Sequence, residues 1–328
     1  MGWHVLNVTL LFCAHTGRRW DLPYWNELLF TNPLSKEASR NHIVGIIEVA
    51  LSGVCFGFLG VFGKWAYERG IRPAELLGFR FLTAAVLMGV GFKLFAPARL
   101  KISRKDFQMS VVLGMVSALF AGLFFATLQH LSVSLSVLLF YSYPLFVFLG
   151  SNFILRNAIQ WRGWLILLLC FLGLALLLWG DLRIENQFGL ALGLCSAAGY
   201  SVYILVSGQY LKSAASIWSL SFYILLISGL ILTAAGFESI ERWIEVWSKG
   251  WWILLSLALL CSVAAVTLFL SGLRKVTSAE ASILSTTEPM TGVLLAAAFL
   301  GERLTLLQAL GGLFLLISLA LTSVSRKK

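Results

Sequence analysis

Glu288 and Pro289 stand side by side within an apolar run, followed by a further stretch rich in Leu and Ala. If that run lies in a membrane, the acid is costly there and usually has a function. The proline removes one backbone donor and breaks the helix locally. On this reading the carbonyl of Ser285 is left free, and interrupted membrane helices use such groups to hold substrates. Glu288 is therefore a substrate contact, a proton site or a gate, or else a structural acid bonded to a neighbouring helix. Arg80 is the basic counterpart, about one-third into another apolar run. It can pair with a carboxylate such as Glu288 or bind an anionic group, or its head can snorkel to an interface.

Hydroxyl groups form the second pattern. Ser196, Tyr200, Tyr203, Ser207 and Tyr210 recur at steps of four, three, four and three, which is one face of a helix. Lipid offers nothing to hydroxyls, so that face points into a bundle, lining a cavity or bonding to another helix. Tyr141 and Tyr143 flank the start of a second proline-bearing segment at Pro144. Tyr141 shares a face with Ser134 and is the better cavity candidate.

Enzyme chemistry lacks its usual sets. The histidines are His4, His15, His42 and His130, and none stands in an HExxH motif. The aspartates Asp21, Asp106 and Asp181 fall in the tail or in loops, so there is no intramembrane aspartyl pair. No GxxxxGK[ST] nucleotide loop occurs. Cys13, Cys55, Cys170, Cys195 and Cys261 show no paired spacing. We expect no catalytic residues, no metal, no cofactor and no disulfide.

The elements that must position these residues follow from composition. Of 328 residues 59% are hydrophobic and only 12% charged, against about 45–50% and 25% in a soluble domain. Mean hydropathy is +0.87. The apolar runs are long and unbroken, unlike the short alternating segments of a β-barrel. Each is near the ~20 residues that a membrane helix needs. Spans are predicted at 44–66, 74–96, 107–128, 132–154, 161–179, 187–209, 216–236, 250–272, 279–300 and 304–323. Trp243, Trp247, Trp251 and Trp252 read as an aromatic belt at the start of the eighth.

The net charge of +10 does not mark a nucleic-acid partner, because the basic residues sit singly in short loops. With the amino terminus inside, 16 Lys and Arg fall on the inner side and seven on the outer. That asymmetry predicts cytoplasmic termini. Residues 1–42 form an amino-terminal cytoplasmic tail of different composition.

The chain also repeats itself. Pro144 and Pro289 are the two of its six prolines that fall inside spans, and they are 145 residues apart. Ser134 to Pro144 aligns with Ala279 to Pro289, which sets Tyr143 opposite Glu288. Gly45 to Gly63 aligns with Gly189 to Ser207, which sets Ser52 on Ser196 and Phe56 on Tyr200. Each half holds five spans. Five is odd, so the second half enters the membrane upside down, a signature of carriers. The expected fold is an all-α integral membrane protein with ten transmembrane helices in two inverted five-helix repeats, 43–180 and 187–324.

Specific patches give this pattern a family resemblance. Arg80-Phe81, Glu288-Pro289, Leu300-Gly301-Glu302-Arg303-Leu304-Thr305 and Gln308-Ala-Leu-Gly-Gly312 resemble the drug/metabolite transporter superfamily, EamA type. The likeness covers about 44–324. The first repeat departs from it, with Asn157 where a Glu like Glu302 is expected. The resemblance implies a secondary carrier of small organic metabolites such as amino acids, an exporter working by alternating access through a central cavity. Its site would comprise Tyr141, Tyr143, Ser196, Tyr200, Tyr203, Ser207, Ser285 and Glu288, with Arg80 and Glu288 as a charge pair or gate and Pro144 and Pro289 as helix breaks. Its partners would be a small-molecule substrate and the lipid bilayer of a bacterial inner membrane. Proton coupling, and monomer or homodimer, stay open. The alternative from another class is a non-transporting scaffold or assembly protein.

Overall fold

The structure, a computed structural model, describes residues 33–153, 161–179, 186–214, 216–301 and 303–324. Most of the tail, together with Asn157 and Glu302, lies outside them. The described helices are α1 (Pro33–Glu68), α2 (Pro73–Phe95), α3 (Arg104–Thr127), α4 (Val133–Phe140), α5 (Tyr143–Phe153), α6 (Trp161–Leu177) and α7 (Gln187–Tyr210). There follow α8 (Ile217–Gly236), α9 (Ile240–Ala258), α10 (Ala265–Leu273), α11 (Ser278–Leu284), α12 (Thr287–Leu300) and α13 (Leu306–Val324). A π-helical turn, Leu259–Ala264, joins α9 to α10. The pairs α4–α5, α9–α10 and α11–α12 each make one crossing. Among the described residues nine helical segments are long and apolar enough to cross a membrane. The tenth crossing is α6, an apolar helix of 17 residues.

Helix starts coincide with residues that can satisfy the free N–H groups of a first turn. Ser103, Ser216 and Ser239 cap α3, α8 and α9, and Asn186 caps α7. Thr277 and Glu280 form a reciprocal capping box on α11. Gly301 ends α12 with φ of 71°, a left-handed conformation that suits glycine. Two elements run beyond the predicted spans. Helix α1 starts at Pro33, because the polar stretch before residue 44 holds good helix formers. Helix α9 starts at Ile240, and its first turns lie ahead of a kink at Gly250.

The second half packs as the first half turned over. Helix α3 lies along α7, as α10 lies along α1, and α2 pairs with its own counterpart α8. Equivalent residues make equivalent contacts. Ser52 donates to the carbonyl of Ala265 at 2.7 Å, and Ser196 to that of Phe120 at 2.8 Å. Gly45 packs on Lys275 and Val276, and Gly189 on His130 and Leu131. Lipid tails are as apolar as leucine, so small residues that bring backbones together hold such a bundle.

The tightest crossing is α6 on α13. A Cβ at Gly311 would lie 2.7 Å from the carbonyl oxygen of Gly173 and would press on the backbone of Leu177. Backbone cannot rotate away as a side chain can. Gly311→Val should therefore lower stability by about 1–3 kcal/mol or more. Gly312→Ala, where the added atom meets nothing within 4 Å, should leave the melting temperature of purified protein nearly unchanged. Equal melting of the two variants would show that this crossing is not close-packed.

Candidate functional site

Both proline-bearing crossings are interrupted just before the proline. Helix α4 ends at Phe140 and α5 begins at Tyr143, while α11 ends at Leu284 and α12 begins at Thr287. The two interruptions occupy equivalent places in the repeats. The carbonyl of Ser285 is not free, since it accepts the N–H of Glu288 at 3.0 Å. The Ser285 hydroxyl turns back to the carbonyl of Ala281 at 2.8 Å. The break closes as a turn and satisfies its own backbone, as a buried segment must.

Glu288 projects from the first turn of α12 into a cluster of tyrosines. Tyr141, Tyr143 and Tyr200 are near enough to interact with its charge. Tyr143 donates to the carbonyl of Ser282 at 3.3 Å, joining the two broken crossings. Tyr200 is the hub of the ring cluster. It lies 4.6 Å from Tyr143, 4.8 Å from Phe120 and 5.3 Å from Phe140, centroid to centroid. Tyr203 stacks beside it at 6.1 Å. Tyr141, Tyr143 and Tyr203 are buried, whereas Tyr200, Glu288 and Arg80 keep part of their surface open.

Arg80 approaches from α2 in the other half. It interacts electrostatically with Glu288, Cys261 and Tyr67, and it lies over the Phe81 ring at 4.5 Å. Arg80 and Glu288 form no direct ion pair, and among the described residues Arg80 Nε makes no hydrogen bond. Cys261 sits in the π-helical turn, its thiol donating to the Cys55 carbonyl at 3.2 Å. The structure thus groups Arg80, Tyr141, Tyr143, Tyr200, Tyr203 and Glu288. The rest of the hydroxyl stripe has other work. Ser196 holds α7 to α3, Ser207 is fully buried with no hydrogen bond among the described residues, and Tyr210 donates to Asp106 at 2.5 Å. Phe120, Phe140 and Phe269 also belong to the cluster. Sequence gave little sign of them, because a phenylalanine in an apolar helix looks the same whether it meets lipid or a tyrosine.

A second polar feature ties the turn between α1 and α2 to the start of α9. Glu75 is almost fully buried and accepts two bonds from Arg242, at 2.7 and 3.0 Å. Arg242 also donates to the Gly70 carbonyl at 2.8 Å and to Glu245 at 3.0 Å. Arg72 contacts Glu238 beside it. Trp243, in the predicted belt, instead stacks on Phe79 at 4.0 Å.

Ten apolar crossings in two inverted five-helix repeats are the architecture of a polytopic membrane transporter. The chain matches the EamA-like transporter family over residues 43–179 and 187–324 and belongs to it. It is 28% identical over 293 residues to the uncharacterized transporter YcbK of Bacillus subtilis, covering 85% of this chain and 93% of that one. It is 25% identical over 284 residues to the uncharacterized transporter sll1164 of Synechocystis, covering 81% of each. An uncharacterized transporter of Archaeoglobus fulgidus is 26% identical over 274 residues, 83% of this chain and 93% of its own. A crystal structure, described simply as that of a protein, superposes with a TM-score of 0.68 at 17% identity, covering 87% of this chain and 96% of that chain. That likeness concerns the fold alone.

Proposed function

We propose that the protein is a secondary carrier that exports small zwitterionic organic metabolites, amino acids or close relatives, by alternating access at the Arg80–Glu288 centre. One observation carries this reading. An acid from one half and a base from the other face each other amid tyrosine rings without pairing directly. A substrate carboxylate fits the fork of Arg80, a substrate ammonium fits Glu288, and the rings suit an apolar or aromatic side chain. Each charge then finds its partner only when substrate is bound. The halves meet on either side of this centre, so rocking one against the other would expose it to each face in turn. The inner-membrane orientation with both termini cytoplasmic rests on the basic-residue asymmetry, and a carboxy-terminal reporter active only outside the cytoplasm should stay silent.

Proteoliposomes loaded with a panel of amino acids, esters and amines test the reading, with and without a pH gradient. Zwitterions should leave faster than their esters, which lack the carboxylate for Arg80. Equal rates for both, or no transport of any zwitterion by folded protein, would reject it.

A further inference from the structure

The repeats differ at one pair of equivalent grooves. Between α1 and α9 the groove is filled by a column of rings. Phe58 stacks on Phe62, Phe62 meets Trp65, and Trp65 meets Trp252, at centroid distances of 5.9, 5.8 and 5.7 Å. Arg69 closes one end by lying over Trp252. In the other repeat the residues at these places are Val202, Val206, Gln209, Phe107 and Ser213. All five are smaller than their counterparts, and Phe107 turns away to pack on Tyr223 at 5.5 Å. A groove of about 480 Å³ results between α3 and α7, lined by Met109, Val202, Leu205, Val206, Gln209 and Tyr210.

This groove lies on the outside of the bundle, where Val202 is 47% exposed, so what faces it is the bilayer. It runs from Val202 to Ser213, about 16 Å of helix, roughly the depth of one leaflet. Its walls are apolar, as an acyl chain requires. Two lysines adjoin its lining residues in the chain. Lys105 lies one turn before Met109 on the same face of α3, and Lys212 is in the turn that follows α7. Both are exposed, and neither meets an acid among the described residues. At the filled groove the equivalent residues are Gly250 and Glu68, and the basic groups beside them are engaged, Arg69 over Trp252 and Lys249 with Glu245. One repeat has thus lost its aromatic filling and at the corresponding end keeps two lysines without an acidic partner among the described residues.

We propose that the groove between α3 and α7 binds an anionic phospholipid, with an acyl chain along Val202 and Val206 and the phosphate between Lys105 and Lys212. Basic side chains at the end of an apolar intramembrane groove select anionic headgroups. The full chain in detergent, titrated with phosphatidylglycerol or phosphatidylcholine of matched acyl chains, is examined by native mass spectrometry. The wild type should retain phosphatidylglycerol roughly tenfold more than phosphatidylcholine, as two basic groups near the surface allow. Lys105→Gln with Lys212→Gln should abolish the preference. Val202→Phe with Val206→Phe, which restores the filling of the other repeat, should remove the retained lipid whatever its headgroup. If that double variant fails to fold, Gln209→Trp makes the same test with one added ring. Equal retention of the two lipids by wild type, unchanged lipid in folded filled variants, or a filled variant that alters oligomeric state but not lipid would each overturn the proposal.

Discussion

Glu288→Gln should insert and fold as the wild type does, yet lose transport of zwitterionic substrate. The amide keeps the shape, so the ring cluster has no reason to collapse. It cannot carry charge or titrate. Removing one member of a buried charge pair costs about 2–5 kcal/mol, so half-saturation should rise at least roughly 30-fold. Arg80→Gln should do the same from the other side, with the larger loss for substrates whose only charge is a carboxylate. The pH gradient separates two roles for the acid. If Glu288 is also a proton site, the flux that Glu288→Gln retains at high substrate concentration no longer responds to the pH gradient. If it only partners Arg80, exchanging the two charges should restore expression better than either single change. Normal pH-dependent transport by Glu288→Gln would reject the proton role.

Glu75→Ala should be among the most damaging changes remote from that centre. It leaves Arg242 beside Gly70 without its chief partner, and unpairing a buried ion typically costs about 3–5 kcal/mol. Arg242 keeps some surface in solvent, so the lower end applies. The melting temperature should fall clearly, while Glu241→Ala on the exposed side of the same turn should leave it alone. Glu75→Leu with Arg242→Met tests whether the pair is needed as charge. An apolar pair of similar volume can restore stability, and the double variant should then melt near the wild type. A Glu75→Ala protein as stable as the wild type would show that the network contributes nothing net.

The crossings were legible because a membrane span needs only length and apolarity, both of which are local. The repeat was legible for the same reason, since prolines and small residues recur at a fixed offset. Its register proved informative at residue level, as Ser52 and Ser196 make equivalent bonds on opposite sides of the bundle. Glu288 and Arg80 stood out because charge is rare at such depth, and Tyr141 because it shares a helix face with Ser134. What sequence could not supply is pairing between distant polar ends. Glu75 and Arg242 are 167 residues apart, and each reads alone as a loop charge. Tyr210 fits the periodic stripe but lies beyond the ring cluster and serves Asp106 instead. The groove between α3 and α7 was illegible as well, because it is defined by what its residues lack relative to their counterparts.

The charged contacts near the membrane surfaces are not shared evenly between the two repeats. Lys275 pairs with Glu48 at 2.5 Å and His42 with Glu280 at 3.1 Å, whereas the matching end of the other repeat holds a weak contact of Asn186 with His130 at 3.5 Å. Two identical halves would make the inward-open and outward-open forms of the proposed cycle equal in free energy, each occupied half the time. Unequal latches remove that degeneracy. Every 1.4 kcal/mol or so by which one end outweighs the other moves the resting ratio tenfold, so in that proposed cycle an empty carrier would wait on one side of the membrane rather than hover between both. Partly exposed ion pairs weaken as salt screens them. In the same cycle the ionic strength of the compartment that bathes the latch would help to set the waiting side.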